Sequence, residues 1–142
     1  MQFSLSAQPF EKQKADTLMI GVFSDGSFTE TVKKIDEFNE GYLSDLMKRK
    51  EFTAKVGETL SLRRLNKVQV REVLLVGLGE SNRFDEDAFV SSFTQGLRSV
   101  RSQSILIEVP NWACEGRSHA WTLMHMVIRA MTSVSYTHLR AH

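Results

Sequence analysis

The sequence predicts a layered α/β fold in a single domain. Two short, nearly continuous apolar runs, Thr17 to Phe23 and Val73 to Val76, read as strands covered on both faces, because a strand with one wet face would alternate. Segments with apolar residues at helical spacing lie between and after these runs, and turn signals separate strands from helices. With 142 residues and 42% hydrophobic content, the chain has the size of one domain and enough apolar material for a core.

Each element follows from its own pattern. Phe3 and Leu5 alternate with Gln2, Ser4 and Ser6, the signature of a half-buried first strand. Thr17 to Phe23 forms the second, ended by the turn Ser24-Asp25-Gly26. Ser27 with Glu30 has the spacing of a capping box, so a helix is expected to start there, with Val32, Ile35 and Phe38 on its apolar face. Gly41 breaks it, and Tyr42, Leu43, Leu46 and Met47 carry a second short helix through Lys50. Lys48, Arg49 and Lys50 suit the carboxyl end of that helix, where the backbone dipole favours positive charge.

Thr59 to Arg63 alternates and is expected to be the third strand; Val73 to Val76, closed by Gly77-Leu78-Gly79, is the fourth. Asp85 is placed to cap a helix whose stripe Phe89, Val90, Phe93, Leu97 and Val100 packs on the sheet. Ile105 to Val109 is the fifth strand, ended by Pro110-Asn111. Trp121, Met124, Ile128 and Met131 repeat at three, four and three residues, giving an amphipathic helix that begins near Ser118.

Composition narrows the function classes. Eighteen Lys and Arg against seventeen Asp and Glu leave a net charge of +1, with no field to draw nucleic acid or an anionic membrane. The single cysteine, Cys114, cannot form an internal disulfide, and Met1 to Gln8 lacks the basic start and apolar core of a secretory leader. A reducing, cytoplasmic setting is expected. No run approaches the roughly 20 apolar residues that cross a bilayer.

Motifs that could carry chemistry are few. Gly77-x-Gly79 continues as Glu80-Ser81-Asn82, with no third glycine and no lysine, so both nucleotide fingerprints fail and the glycines read as a tight exit or a close backbone approach. His119 and His125 are six apart and point to different helix faces, so they do not form the i, i+4 pair that clamps zinc. Cys114 and Glu115 are the nearest further donors in sequence, and their spacing adds no support. Nothing local nominates a base for Cys114 as a nucleophile.

Several stretches carry a resemblance by their serial order. Met1-Gln2-Phe3-Ser4, Glu11-Lys12-Gln13 before Asp16, and Gly21-Val22-Phe23 come first. Gly41-Tyr42 leading into Leu46-Met47-Lys48-Arg49, Lys55-Val56-Gly57-Glu58-Thr59-Leu60, and Val73-Leu74-Leu75-Val76-Gly77-Leu78-Gly79 follow, with Gly116-Arg117 before Trp121 fitting more loosely. Together they resemble the amino-terminal domain of bacterial leucyl aminopeptidases over most of residues 1 to 132. Residues 133 to 142 are expected to be an artefactual tail, because Val134 to His142 resembles the translation of a sequencing adapter.

The resemblance implies a macro-domain-like mixed sheet sandwiched between helices. It implies a parent that is a cytosolic homohexamer removing amino-terminal residues from peptides. That parent uses two divalent metal ions, zinc or manganese, to polarise the scissile carbonyl and activate a bridging water. The ligands and catalytic residues would lie in a carboxy-terminal domain, best marked by the motif NTDAEGRL, and this chain is expected to end before it. Glu115-Gly116-Arg117 imitates the centre of that motif, but Trp112-Ala113-Cys114 lacks its Asp ligand and Asn-Thr frame. No catalytic, cofactor-binding or metal-ligating residue is therefore assigned.

The expected role is assembly or shielding, with the chain's own carboxy-terminal domain as partner. The alternative is a macro-like module that binds ADP-ribose or a nucleotide, with the loop from Gly77 to Asn82 meeting the phosphate. Exposed apolar area is expected where the second domain would dock, since the last helix is patterned to be covered.

Overall fold

The structure, a computed structural model, describes residues 2–6 and 15–140, with side chains described for residues 15–132. Nine principal elements follow in the order β1 (Gln2–Ser6), β2 (Thr17–Phe23), α1 (Glu30–Phe38), α2 (Tyr42–Lys48), β3 (Thr59–Arg63), β4 (Glu72–Gly79), α3 (Glu86–Ser99), β5 (Ser104–Glu108) and α4 (His119–Arg140). The sheet has the spatial order β1-β5-β2-β4-β3. All neighbours run parallel except the edge pair of β3 with β4, which makes the sheet mixed.

Side-chain alternation along the strands sorts the core into two layers. Leu18, Ile20 and Val22 of β2, with Val73 and Leu75 of β4, point to one side and pack under Val32, Ile35, Leu43 and Leu46 of α1 and α2. Met19 of β2, Leu74, Val76 and Leu78 of β4, and Ile105 and Ile107 of β5 point to the other, against Phe89, Phe93 and Leu97 of α3 and Met126 of α4. Because successive side chains leave a strand on opposite faces, a continuous apolar run is what a two-sided core demands. The aromatic heart of the second layer is a chain of ring contacts, with Phe89 stacked on Phe93 at 5.5 Å and Trp112 edge-on to Phe93 at 5.1 Å.

Three expectations are corrected in detail. The first helix does not begin at Ser27: its N-cap is Thr29, and no side chain caps it. The Ser27 amide donates instead to the Asp25 carboxylate, a turn bond that competes with the capping box. The fifth strand does not run through Val109 but ends at Glu108, and Val109 opens a short 3-10 turn. The second short helix ends at Lys48 rather than Lys50, and Lys50 takes a left-handed conformation with φ 58°.

Gly77 shows why the fourth strand carries glycine. A Cβ there would lie 2.1 Å from the Lys55 carbonyl oxygen and 2.6 Å from the Ala54 carbonyl carbon, both backbone atoms that cannot swing aside. The segment from Thr53 to Glu58 thus crosses the end of β4 in direct backbone contact. Glu58 holds that segment, accepting from the Thr53 hydroxyl at 2.5 Å and from the Thr53 and Lys55 amides. Burial pulls the Glu58 pKa up, but these donors outweigh it and leave the carboxyl below its ordinary value.

Candidate functional site

In an open parallel sheet, ligands gather outside the carboxyl ends of strands where neighbouring strands send their connections to opposite faces. Here β2 and β4 are parallel neighbours. The chain leaving β2 enters α1 on one side, and the chain leaving β4 enters α3 on the other. By topology the crevice position falls between the loops at residues 24–29 and 80–85, and it contains the end of the Gly77 to Asn82 segment.

Hydrogen bonds across its mouth tie these two loops together. Asp25 accepts from the Ser81 hydroxyl at 2.6 Å, the Ser81 amide at 3.2 Å and the Ser27 amide at 3.1 Å. The Ser81 hydroxyl is the chief reason that the Asp25 pKa is lowered to about 2; burial opposes it, and the Ser27 and Ser81 amides add to the lowering. The Ser24 amide donates to the Gly79 carbonyl at 2.9 Å, and Phe23 meets Phe84 edge-on at 5.5 Å beneath.

Hydrogen bonds here occupy three of the amides a phosphate could use. The Gly77 amide donates to the Glu58 carbonyl at 2.7 Å, the Gly79 amide to the Ala54 carbonyl at 2.9 Å, and the Ser81 amide to Asp25. An incoming phosphate would also face the Asp25 carboxylate, which is charged at neutral pH. The sequence places glycines at this loop, and the structure uses them for architecture, with close backbone approach at Gly77 and a left-handed exit, φ 77°, at Gly79.

The candidate residues for metal or nucleophilic chemistry do not come together. Cys114 is buried, donates to the Asp85 carbonyl at 3.6 Å, and burial, with the Asp85 charge beside it, pushes its pKa up to about 11. Such a thiol is neither a ready nucleophile nor a ready ligand. His119 is exposed at the start of α4, whereas the His125 ring lies 4.1 Å from that of Trp121. Glu115-Gly116-Arg117 is the turn that enters α4: Gly116 is left-handed, the Arg117 amide donates to the Cys114 carbonyl, and the Arg117 side chain pairs with Glu86 and lies over Trp121. Among the described residues no three His, Cys, Asp or Glu side chains gather where they could hold a metal ion. The described side chains do not fit a dimetal centre.

One further surface stands out. Six large apolar side chains are exposed among the described residues, and four of them lie on α4: Met124, Val127, Ile128 and Met131. The expectation of exposed apolar area on the last helix is met. Met124, Ile128 and Met131 of the sequence stripe face away from the sheet, while Thr122 and Met126 supply the buried side. No helix among the described residues is long and apolar enough to cross a membrane.

The Asp25 and Ser81 pair is not singled out by the sequence. Only the turn signal at Ser24-Asp25-Gly26 hints at it, since the partners are 56 residues apart.

Comparison with known proteins bears on the whole chain. A family model described as "Cytosol aminopeptidase family, N-terminal domain" matches residues 19–140. A probable cytosol aminopeptidase of Methylobacillus flagellatus is 29% identical over 133 residues, covering 89% of this chain and 26% of the relative. Another, from Pseudoalteromonas atlantica, is also 29% identical and covers 99% of this chain and 28% of the relative. The chain thus spans about a quarter of the length of the curated relatives it matches.

Among solved structures, the macrodomain of Mycobacterium tuberculosis DarG superposes with a TM-score of 0.66 at 10% identity, covering 92% of this chain and 91% of that one. The bottromycin maturation enzyme BotP does so at 0.59 and 16% identity, covering 84% of this chain and 23% of that one. At such identities the likeness speaks for the fold alone, and the fold is macro-domain-like.

Proposed function

The chain belongs to the cytosol aminopeptidase family, as its amino-terminal domain, and on that footing we propose that it is the non-catalytic front module of a longer cytosolic metallopeptidase. The parent removes amino-terminal residues from peptides and works as a homohexamer. Its two divalent ions, zinc or manganese, sit in the region that follows this domain. The module itself serves assembly or shields the subunits. The observation that carries this reading is coverage: nearly the whole chain aligns to only 26% of a relative named for the peptidase activity, and the matching family model is that of an amino-terminal domain.

The domain in this proposal is residues 1–132, with residues 133–142 a tail outside it. A chain ending at Thr132 should keep the thermal midpoint of the full chain, and a fall of several degrees would count against that boundary. For activity, the purified chain supplied with zinc or manganese should release no aniline from a leucyl anilide. Turnover that a chelator abolishes would sink the non-catalytic reading.

The macro-like fold keeps a second reading open, a module that binds ADP-ribose or a nucleotide. The occupied amides of Gly77, Gly79 and Ser81, with the Asp25 carboxylate beside them, argue against it at the crevice between β2 and β4. Calorimetric titration with ADP-ribose should give no binding heat; a saturable signal lost in Ser81→Trp would revive it.

A further inference from the structure

The outward face of α4 is apolar where a helix that ends its packing at one sheet face should be polar. Met124, Val127, Ile128 and Met131 recur at the i, i+3, i+4, i+7 spacing of a single stripe, with exposures of 52%, 40%, 45% and 65%. On the opposite side Met126 is 1% exposed and sits in the second core layer. A helix apolar on both sides is a helix meant to be buried on both sides. A contiguous exposed apolar stripe of this kind marks an interaction surface rather than a scatter of single residues.

We propose that this stripe is the docking surface for the polypeptide that follows the domain in full-length members of the family, so that α4 is a shared wall between two domains. The inference rests on the reading of the chain as an amino-terminal module. The occupant follows from length and position. The part this chain matches is about a quarter of the relatives' length, the matching family model is that of an amino-terminal domain, and α4 is the last element of the match. Polypeptide joined to the end of α4 is held near its face at an effective concentration of about millimolar, far above that of a free second copy. A covering segment needs only an apolar face of its own, because the stripe presents no charge.

Methionine oxidation reads this directly, since an exposed thioether reacts with peroxide faster than a buried one. In the chain alone, Met124 and Met131 should form sulfoxide about tenfold faster than the buried Met126. Residues 1–132 are then joined to the carboxy-terminal three quarters of the Methylobacillus flagellatus relative in place of its own amino-terminal domain. In the joined protein the Met124 and Met131 rates should fall by about fivefold or more, and Ile128→Glu should restore them while leaving the lone chain's rates unchanged.

Unchanged rates in the joined protein, and again when the two pieces are mixed as separate chains, would overturn the proposal. So would sedimentation showing the lone chain to be a dimer that already protects Met124, which would make a second copy the occupant. Leucyl anilide turnover by the lone chain would remove the front-module reading without touching the footprint, so the two failures are separable.

Discussion

Helices α1 and α4 flank the same sheet from opposite sides, and their outward faces could hardly differ more. On α1, Val32 and Ile35 are buried, and the exposed positions Glu30, Lys33, Lys34 and Glu37 are all charged. On α4, Met126 is buried, and the exposed positions at the same helical spacing are Met124, Val127, Ile128 and Met131. The inward faces do the same work. Only the outward faces separate a helix finished by water from one that awaits another surface. Helix α3 sides with α1, since its exposed residues include Glu86, Asp87, Gln95 and Arg98.

The contrast is tested most forcefully at the inward faces, where the two helices should behave alike. Ile35→Ala and Met126→Ala each remove a buried side chain and should each cost about 2–5 kcal/mol in denaturant unfolding. A Met126→Ala cost indistinguishable from zero would show that α4 is not anchored on the sheet and would void the contrast. At the outward faces the effects on the lone chain should be small and opposite in kind. Ile128→Glu should change stability by less than about 0.5 kcal/mol and improve solubility, whereas Lys33→Leu with Glu37→Leu, copying the α4 pattern onto α1, should provoke self-association visible by light scattering. If the α1 variant stays monomeric, an apolar stripe of this length is harmless here and its presence on α4 says little.

The least change is expected at the crevice between β2 and β4. Asp25 has a folded pKa of about 2 against an ordinary value of 3.8, so its contribution to stability is complete above that ordinary value. It is lost as pH falls from about 4 through 2. Because Asp25 is exposed, screening keeps the amount modest. Asp25→Asn should therefore lower neutral stability by that modest amount, flatten a small part of the acid limb between pH 4 and 2, and leave stability near pH 2 nearly unchanged. An acid limb identical to that of the unsubstituted chain would mean that the Ser81 bond is not formed in solution.

Much of this architecture is legible in the sequence. The buried run Thr17 to Phe23 and the alternating Thr59 to Arg63 are strands with the expected bounds, because periodicity reports burial directly. Asp85 caps α3 as its position suggests, accepting from the Ala88 amide at 2.9 Å.

Legibility fails where a local signal has a distant competitor. Ser27 yields the N-cap position to Thr29 while its amide goes to the Asp25 carboxylate, and Gly77 must be glycine because the loop at Ala54 and Lys55, well before it in the chain, presses on it. The α4 pattern reads as one apolar stripe, but a helix with two apolar faces does not announce which of them meets the sheet. The Asp25 and Ser81 contact is out of reach for the same reason as most long-range pairs: each residue is ordinary in its own neighbourhood.

If this chain is one supporting part of a larger enzyme, supplying the rest should reveal it. The Methylobacillus flagellatus relative's carboxy-terminal region is assayed for leucyl anilide turnover and sedimented, alone and joined behind residues 1–132. The expected outcome is a metal-dependent, hexameric enzyme when joined and weakened assembly when the domain is deleted. Equal assembly and equal turnover with and without this domain would contradict a supporting role.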